Sequence, residues 1–173
     1  MSNRRSFLRG ASVLMGHAAF GQVMVAFAAA PRKATFFTDV EIGTLRALVD
    51  TILPATDSPA ASAADTHYFI DLAIPACASV NAQKTFREGL KLLGKKRFAT
   101  LAPAAQASLL KERAQADSEL PYDQSFFKIL KDYTLTGYFL SEVGATQALA
   151  YERVPGGFQG DLPLKPDQKA WAI

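Results

Sequence analysis

At 173 residues and 18.7 kDa, with 49% of its residues apolar and 20% charged, the chain is long enough for one domain with its own core and short for two. The formal charge of +3 sets 19 bases against 16 acids, but Arg4, Arg5 and Arg9 all stand in an N-terminal segment without acids. Once that segment is set aside the charges balance, which removes the basic footprint of a nucleic-acid binder or of a protein held electrostatically on an anionic membrane.

The N-terminus reads Asn3-Arg4-Arg5-Ser6-Phe7-Leu8-Arg9. Paired arginines, a spacer and then Phe7-Leu8 form the pattern read by the twin-arginine translocase. The stretch from Gly10 to Phe27 is only mildly apolar, interrupted by Gly16, His17, Gly21 and Gln22, and is weak for a membrane-spanning helix. It closes on Ala26-Phe27-Ala28, a small-x-small exit that predicts cleavage after Ala28. Residues 1–28 are therefore expected to be a twin-arginine signal peptide and 29–173 a single exported domain. The periplasm is the expected compartment. Cys77 is the only cysteine, so the domain has no intrachain disulfide and must be held by packing or by a partner.

Within the domain, Thr38-Asp39-Val40-Glu41 is a capping box, followed by Ile42, Leu45, Val49 and Ile52 at helical spacing and a stop at Pro54. Residues 55–64 read as a Ser/Pro/Ala-rich loop. Thr66 to Ala78 predicts a short apolar helix, bent or ended near Pro75. Asn81 to Leu101 predicts a longer amphipathic helix with Phe86, Leu90, Leu93 and Leu101 inward. Pro103 opens a helix that puts Leu109 and Leu110 inward and ends near Asp117. Pro121 and Asp123 start the strongest helix, running to about Glu142, with Phe126, Phe127, Leu130, Tyr133, Gly137 and Tyr138 on one side. Gly144 is expected to turn the chain into a brief helix through Ala148 to Tyr151. From about residue 152 the prolines and glycines lack periodicity and read as an extended tail. The expected fold is all-α: an irregular bundle of about five helices with an extended C-terminal tail.

Catalytic chemistry is thinly represented. Beyond the leader His67 is the only histidine, and it stands in no Gly-x-Ser-x-Gly context that would pair it with a nucleophile. It reads as an ordinary helix residue rather than a general base. Cys77 and His67 together fall short of the four ligands of a structural zinc site, and no Cys-x-x-Cys-His is present for covalent haem. Asp65 with Asp71, and Glu112 with Asp117, lack the spacing that would pair them on a helix face, and read as solvated or capping residues. Gly156-Gly157-Phe158-Gln159-Gly160 is not a dinucleotide fingerprint. Cys77 reads as a small core residue, and Lys95-Lys96-Arg97 as a solvated face. By contrast, Tyr133, Tyr138, Phe139, Tyr151, Phe158 and Trp171 crowd the last third. Tyr133 and Phe127 suit the domain's own core. Tyr151, Phe158 and Trp171, on a Pro/Gly-rich tail, are equally suited to docking on another subunit.

The run Thr134-Leu135-Thr136-Gly137-Tyr138-Phe139-Leu140-Ser141-Glu142-Val143-Gly144-Ala145-Thr146, followed by Tyr151 and Val154-Pro155-Gly156-Gly157-Phe158, resembles the small subunit (subunit 3) family of gluconate 2-dehydrogenase. The twin-arginine leader, the Leu45–Pro54 stretch and Asp57-Ser58-Pro59 agree, and the likeness runs from about Phe37 to Leu164. Many family members carry a cysteine near Asp161, and its absence here fits the lack of a disulfide partner for Cys77. The resemblance implies a non-catalytic accessory subunit. The chemistry would belong to a large subunit, a glucose-methanol-choline-type FAD oxidoreductase acting on sugars, sugar acids or polyols. A multihaem cytochrome c would take the electrons onward, and related small subunits serve glucoside 3-dehydrogenases. It also implies that the small subunit carries its partner through the twin-arginine pore. The expected partner-facing residues are Tyr138, Phe139, Tyr151, Pro155, Gly156 and Phe158. The competing readings are a stand-alone periplasmic enzyme built on His67 and a helical module that binds a small ligand.

Overall fold

The computed structural model describes residues 32–150 continuously, with 21–23, 25, 27, 156, 163, 166 and 168–170 besides. Five helices make the bundle: α1 (Asp39–Ile52), α2 (Thr66–Cys77), α3 (Val80–Lys95), α4 (Pro103–Ala116) and α5 (Phe126–Phe139). No strand occurs among the described residues, so the architecture is the all-α bundle that the periodicity predicts. No helix among them is long and apolar enough to cross a membrane.

Each start has a local cause. At α1 the capping box forms as expected, with the Glu41 amide donating to Thr38 Oγ1 at 3.3 Å and the Thr38 amide donating to Glu41 Oε2 at 2.9 Å. Ser79 caps α3 through the Ala82 amide, and Ser125 caps α5 through the Lys128 amide. α4 begins on Pro103, whose missing N–H costs nothing at a first helical turn.

Some boundaries differ from the periodicity. The long helix expected over Asn81–Leu101 stops at Lys95, because Arg97 takes a left-handed backbone (φ 53°) and a 3₁₀ turn, Phe98–Thr100, follows. That kink drives Phe98 fully into the core, where the expected Leu101 is only partly buried. The strongest helix starts at Phe126 behind a separate 3₁₀ turn, Tyr122–Gln124, and ends at Phe139. α2 holds Pro75 in its last turn and ends two residues later at Cys77, close to where the proline was expected to bend or end it. Gln83 then reaches back to cover the Ala78 carbonyl at 3.0 Å. Beyond α5, Gly144–Ala148 forms one π turn where a brief helix to Tyr151 was expected. Residue 151 and most of the tail lie outside the described residues.

The core joins Leu45, Leu48 and Val49 of α1, Phe69, Ile70 and Ile74 of α2, Phe86 and Leu90 of α3, and Phe126, Ile129 and Leu130 of α5. Burying each such side chain stabilises the fold by roughly 1.5–3 kcal/mol. Two close approaches set the spacing. A Cβ at Gly89 would run into the Phe126 ring, and one at Gly137 into the Phe69 ring, so glycine lets α3 meet α5 and α5 meet α2 ring-to-backbone.

Two buried carboxylates do structural work. Asp71, 1% exposed, accepts hydrogen bonds from the amides of Thr35, Phe36 and Phe37 at 2.6, 3.0 and 2.7 Å and from the Thr35 hydroxyl at 2.6 Å. It thereby pins the segment before α1 onto α2. Asp117, equally buried, accepts from the Phe127 amide at 2.8 Å and the Ser125 hydroxyl at 3.2 Å, and pairs with Arg113 at 2.9 Å. Asp117 stands at the C-cap of α4 as a capping residue, Asp71 clamps a segment outside any helix, and neither is solvated.

Candidate partner-facing surface

The Gly137-Tyr138-Phe139-Leu140 end of α5 divides its side chains between interior and surface. Tyr138 is 2% exposed, packs edge-on against Phe139 (centroids 5.2 Å), and its hydroxyl donates to the Pro59 carbonyl at 2.7 Å. This corrects its expected place at a partner interface: the ring belongs to the domain's own core, and its polar end is satisfied inside the chain. Phe139 is half-buried and borders a cleft of about 420 Å³ together with Leu53, Pro54, Pro59, Leu149 and Ala170. Leu140, 47% exposed, lines a separate cleft with Phe27 and Arg32.

The C-terminal segment returns to the first of these faces. The Ala150 amide donates to the Ala170 carbonyl at 2.7 Å, and Lys169 Nζ donates to the Gln147 carbonyl at 2.6 Å. Lys169 and Ala170 thus stand beside the cleft that Phe139 borders, and Phe139 is one of the residues expected to meet a partner. Gly156 is exposed, with open space where a Cβ would stand. Tyr151, Pro155 and Phe158 lie outside the described residues, as do the export and cleavage residues Arg4, Arg5, Phe7, Leu8, Ala26 and Ala28.

His67 is enclosed. It is 5% exposed, its ring lies 4.4 Å from that of Tyr68, and Nδ1 has no hydrogen-bond partner. Burial, opposed by the nearby Asp65 carboxylate, holds its pKa below the ordinary imidazole value. An imidazole sealed in this way has no access to a substrate proton, which counts against a general-base role. Cys77 departs from expectation in the other direction. It is exposed at the C-terminal end of α2, where Pro75 and Ala76 are exposed as well, and it edges a small cleft with Tyr122, Asp132, Tyr133 and Thr136. There Tyr122 donates to Asp132 at 2.7 Å, and burial pushes the Tyr133 phenol up to about 12 and raises the Cys77 thiol above its ordinary value. Among the described residues no three His, Cys, Asp or Glu side chains gather as a metal site would need.

The family model for gluconate 2-dehydrogenase subunit 3 matches residues 39–156, a span that takes in all five helices and the π turn. The chain belongs to the gluconate 2-dehydrogenase subunit 3 family. Neither the curated proteins nor the solved structures contain a match to it. As a subunit 3 family member it is by kind a component of a multi-subunit dehydrogenase. The Gly137-Tyr138-Phe139 run that carries the resemblance has a structural explanation in the bundle. Gly137 admits Phe69, Tyr138 ties α5 to the loop at Pro59, and Phe139 rims the surface cleft. Sequence reasoning missed Asp71, Arg32 and Leu140. Asp71 and Arg32 act on chain segments far away in sequence, and Leu140 follows α5 at an apolar position that periodicity alone assigns to the core.

Proposed function

We propose that this chain is the non-catalytic small subunit of an FAD-dependent dehydrogenase of the glucose-methanol-choline type, acting on a sugar, sugar acid or glucoside. In this reading FAD sits in the large subunit, and a cytochrome c subunit with haem c takes the electrons onward. The small subunit contributes three things: the twin-arginine leader that carries the folded pair to the periplasm, support for the large subunit's folding, and stability of the assembled complex. Membership of the subunit 3 family across residues 39–156 is the observation that carries the reading. The enclosure of His67 supports it from the chemical side, since the domain's only histidine is withdrawn from the surface.

The deciding experiment is co-expression with an FAD oxidoreductase that lacks a leader of its own, followed by pull-down and an artificial-acceptor dehydrogenase assay. The expected result is a flavin-containing complex that turns over sugar substrates, while the purified small subunit alone does not. Replacing Arg4 and Arg5 by Lys, which changes the geometry and hydration of the pair, is expected to leave both chains in the cytoplasm. Dehydrogenase turnover by the single chain would overturn the accessory role, and unchanged periplasmic activity in the double variant would overturn the export role.

A further inference from the structure

The helical stretch upstream of Arg32 lies on the bundle. Val23 and Phe27, one turn apart, are 6% and 8% exposed, whereas Val25 between them is 72% exposed. Buried apolar residues at i and i+4 with an exposed residue between them are the pattern of a helix seated in a groove. The Phe27 ring meets Phe69 of α2 edge-on, with centroids 5.7 Å apart, and Gly137, Leu140 and Val143 form the far wall. Arg32 closes the contact from outside. Its guanidinium lies 4.4 Å over the Phe27 ring, Nη1 donates to the Phe27 carbonyl at 2.7 Å, and Nε donates to Asp65 at 2.7 Å.

Cleavage after Ala28 would remove Val23 and Phe27 and leave Arg32, Asp65, Phe69 and Leu140 behind. The vacated Phe27 seat, floored by Phe69, would then open onto the cleft of about 380 Å³ that Phe27 now lines together with Arg32, Asp65, Gly137 and Leu140. Its rim would hold an arginine already set to bond a backbone carbonyl, the group that the last turn of any helix leaves unpaired. Resting on the accessory-subunit reading, we propose that this groove is a receptor for a short apolar helix bearing an aromatic side chain. Val23–Phe27 fills it in the uncut chain, and a helix of that chemistry from the large subunit fills it after the leader is removed. The leader segment thereby keeps the partner groove covered until processing.

The test uses the full chain with Phe27→Asp, which expels the ring and opens the groove. The probe is a fluorescein-labelled synthetic peptide of residues 16–28. The opened chain is expected to bind the peptide at least about tenfold more tightly than the wild-type chain, whose groove is filled. Leu140→Asp, at an exposed wall position, is expected to remove that gain. Asp65→Asn, which tolerates the left-handed backbone there (φ 53°), is expected to reduce it by loosening Arg32. Val23→Asp provides a second opened chain should Phe27→Asp lose its circular dichroism signal. Peptide binding no tighter than wild type in a folded opened chain overturns the proposal, as does binding indifferent to Leu140→Asp. An opened chain that runs as a dimer in light scattering overturns it in favour of a second copy as occupant. Failure of the accessory reading shows separately, as no flavoprotein retained by the wild-type processed chain in co-expression, whatever the peptide does.

Discussion

Gly137 of α5 faces the Phe69 ring of α2 so closely that a Cβ at position 137 would overlap it. Phe69 is fully buried and packs edge-to-face with Phe27, so the ring has little room to retreat. Gly137→Ala, elsewhere a helix-stabilising change, is therefore expected to destabilise the chain by about 2 kcal/mol through overpacking. In a chain of this size that lowers Tm by roughly 4–8 °C. A thermal melt followed by circular dichroism checks it, and an unchanged or raised Tm would show that α2 and α5 can separate at no cost.

Asp71 offers a test of the clamp before α1. Its carboxylate takes three backbone amides and one hydroxyl, all from Thr35, Phe36 and Phe37. Asp71→Ala leaves those donors without their acceptor, and a loss of about 3 kcal/mol is expected because hydrogen bonds to a charged group are the costly ones to break. Urea denaturation measures it. Hydrogen exchange at the amides of residues 35–37 is expected to accelerate before that of α5, since the clamp opens locally.

The bundle was legible in the sequence wherever one segment decides its own fate. The Thr38–Glu41 capping box, the Ile42-Leu45-Val49 face and the Pro103 start are local signals, and each forms. What failed depended on remote contacts. Nothing near Arg97 announces a left-handed residue; the break appears because Phe98 gains a fully buried place under α1. Cys77 sits at helical spacing for the core, yet α2 has run past the core by then. Tyr138 was assigned to a partner because aromatics near a Pro/Gly-rich tail suit interfaces. Its acceptor, Pro59, lies 79 residues away and has no sequence signal.

His67 gives the chain a dependence on pH with a definite sign. Burial lowers its pKa in the folded state from the usual 6.5; the Asp65 and Asp50 carboxylates raise it, and Arg46 and Arg32 lower it, each by less than burial does. The unfolded chain then binds a proton more readily than the folded one. Stability is complete above the unfolded value and is lost as pH falls from about 6.5 toward the lowered folded value. Replacing His67 by Leu is expected to flatten this part of the Tm profile between about pH 7 and pH 5, leaving the slope due to carboxylates. Identical slopes in the two chains would mean that His67 takes up its proton without opening the core. In the assembled complex the same variant is expected to keep turnover within about threefold, far from the 100-fold or more that loss of a general base brings.

The C-terminal tail, expected from its sequence to face a partner, yields the last prediction. Tyr151 and Phe158 lie on a segment too rich in Pro and Gly to hold itself, and its far end returns to Ala150, beside the cleft that Phe139 borders. Aromatics on such a segment suit anchoring to another surface, where a central ring contributes roughly 2 kcal/mol or more. Tyr151→Ala with Phe158→Ala is expected to weaken capture of the flavoprotein at least about tenfold while the melt of the free subunit stays unchanged. Adding Phe139→Ala should weaken capture further. Tyr138→Phe is the control from the interior. It removes the bond to Pro59, costs about 1 kcal/mol of stability, and should leave capture as it was. The measurement is co-purification of the large subunit set beside a circular dichroism melt of each variant. If the tail variant melts early yet its folded fraction binds fully, Tyr151 and Phe158 are core residues of this chain, and the flavoprotein docks elsewhere.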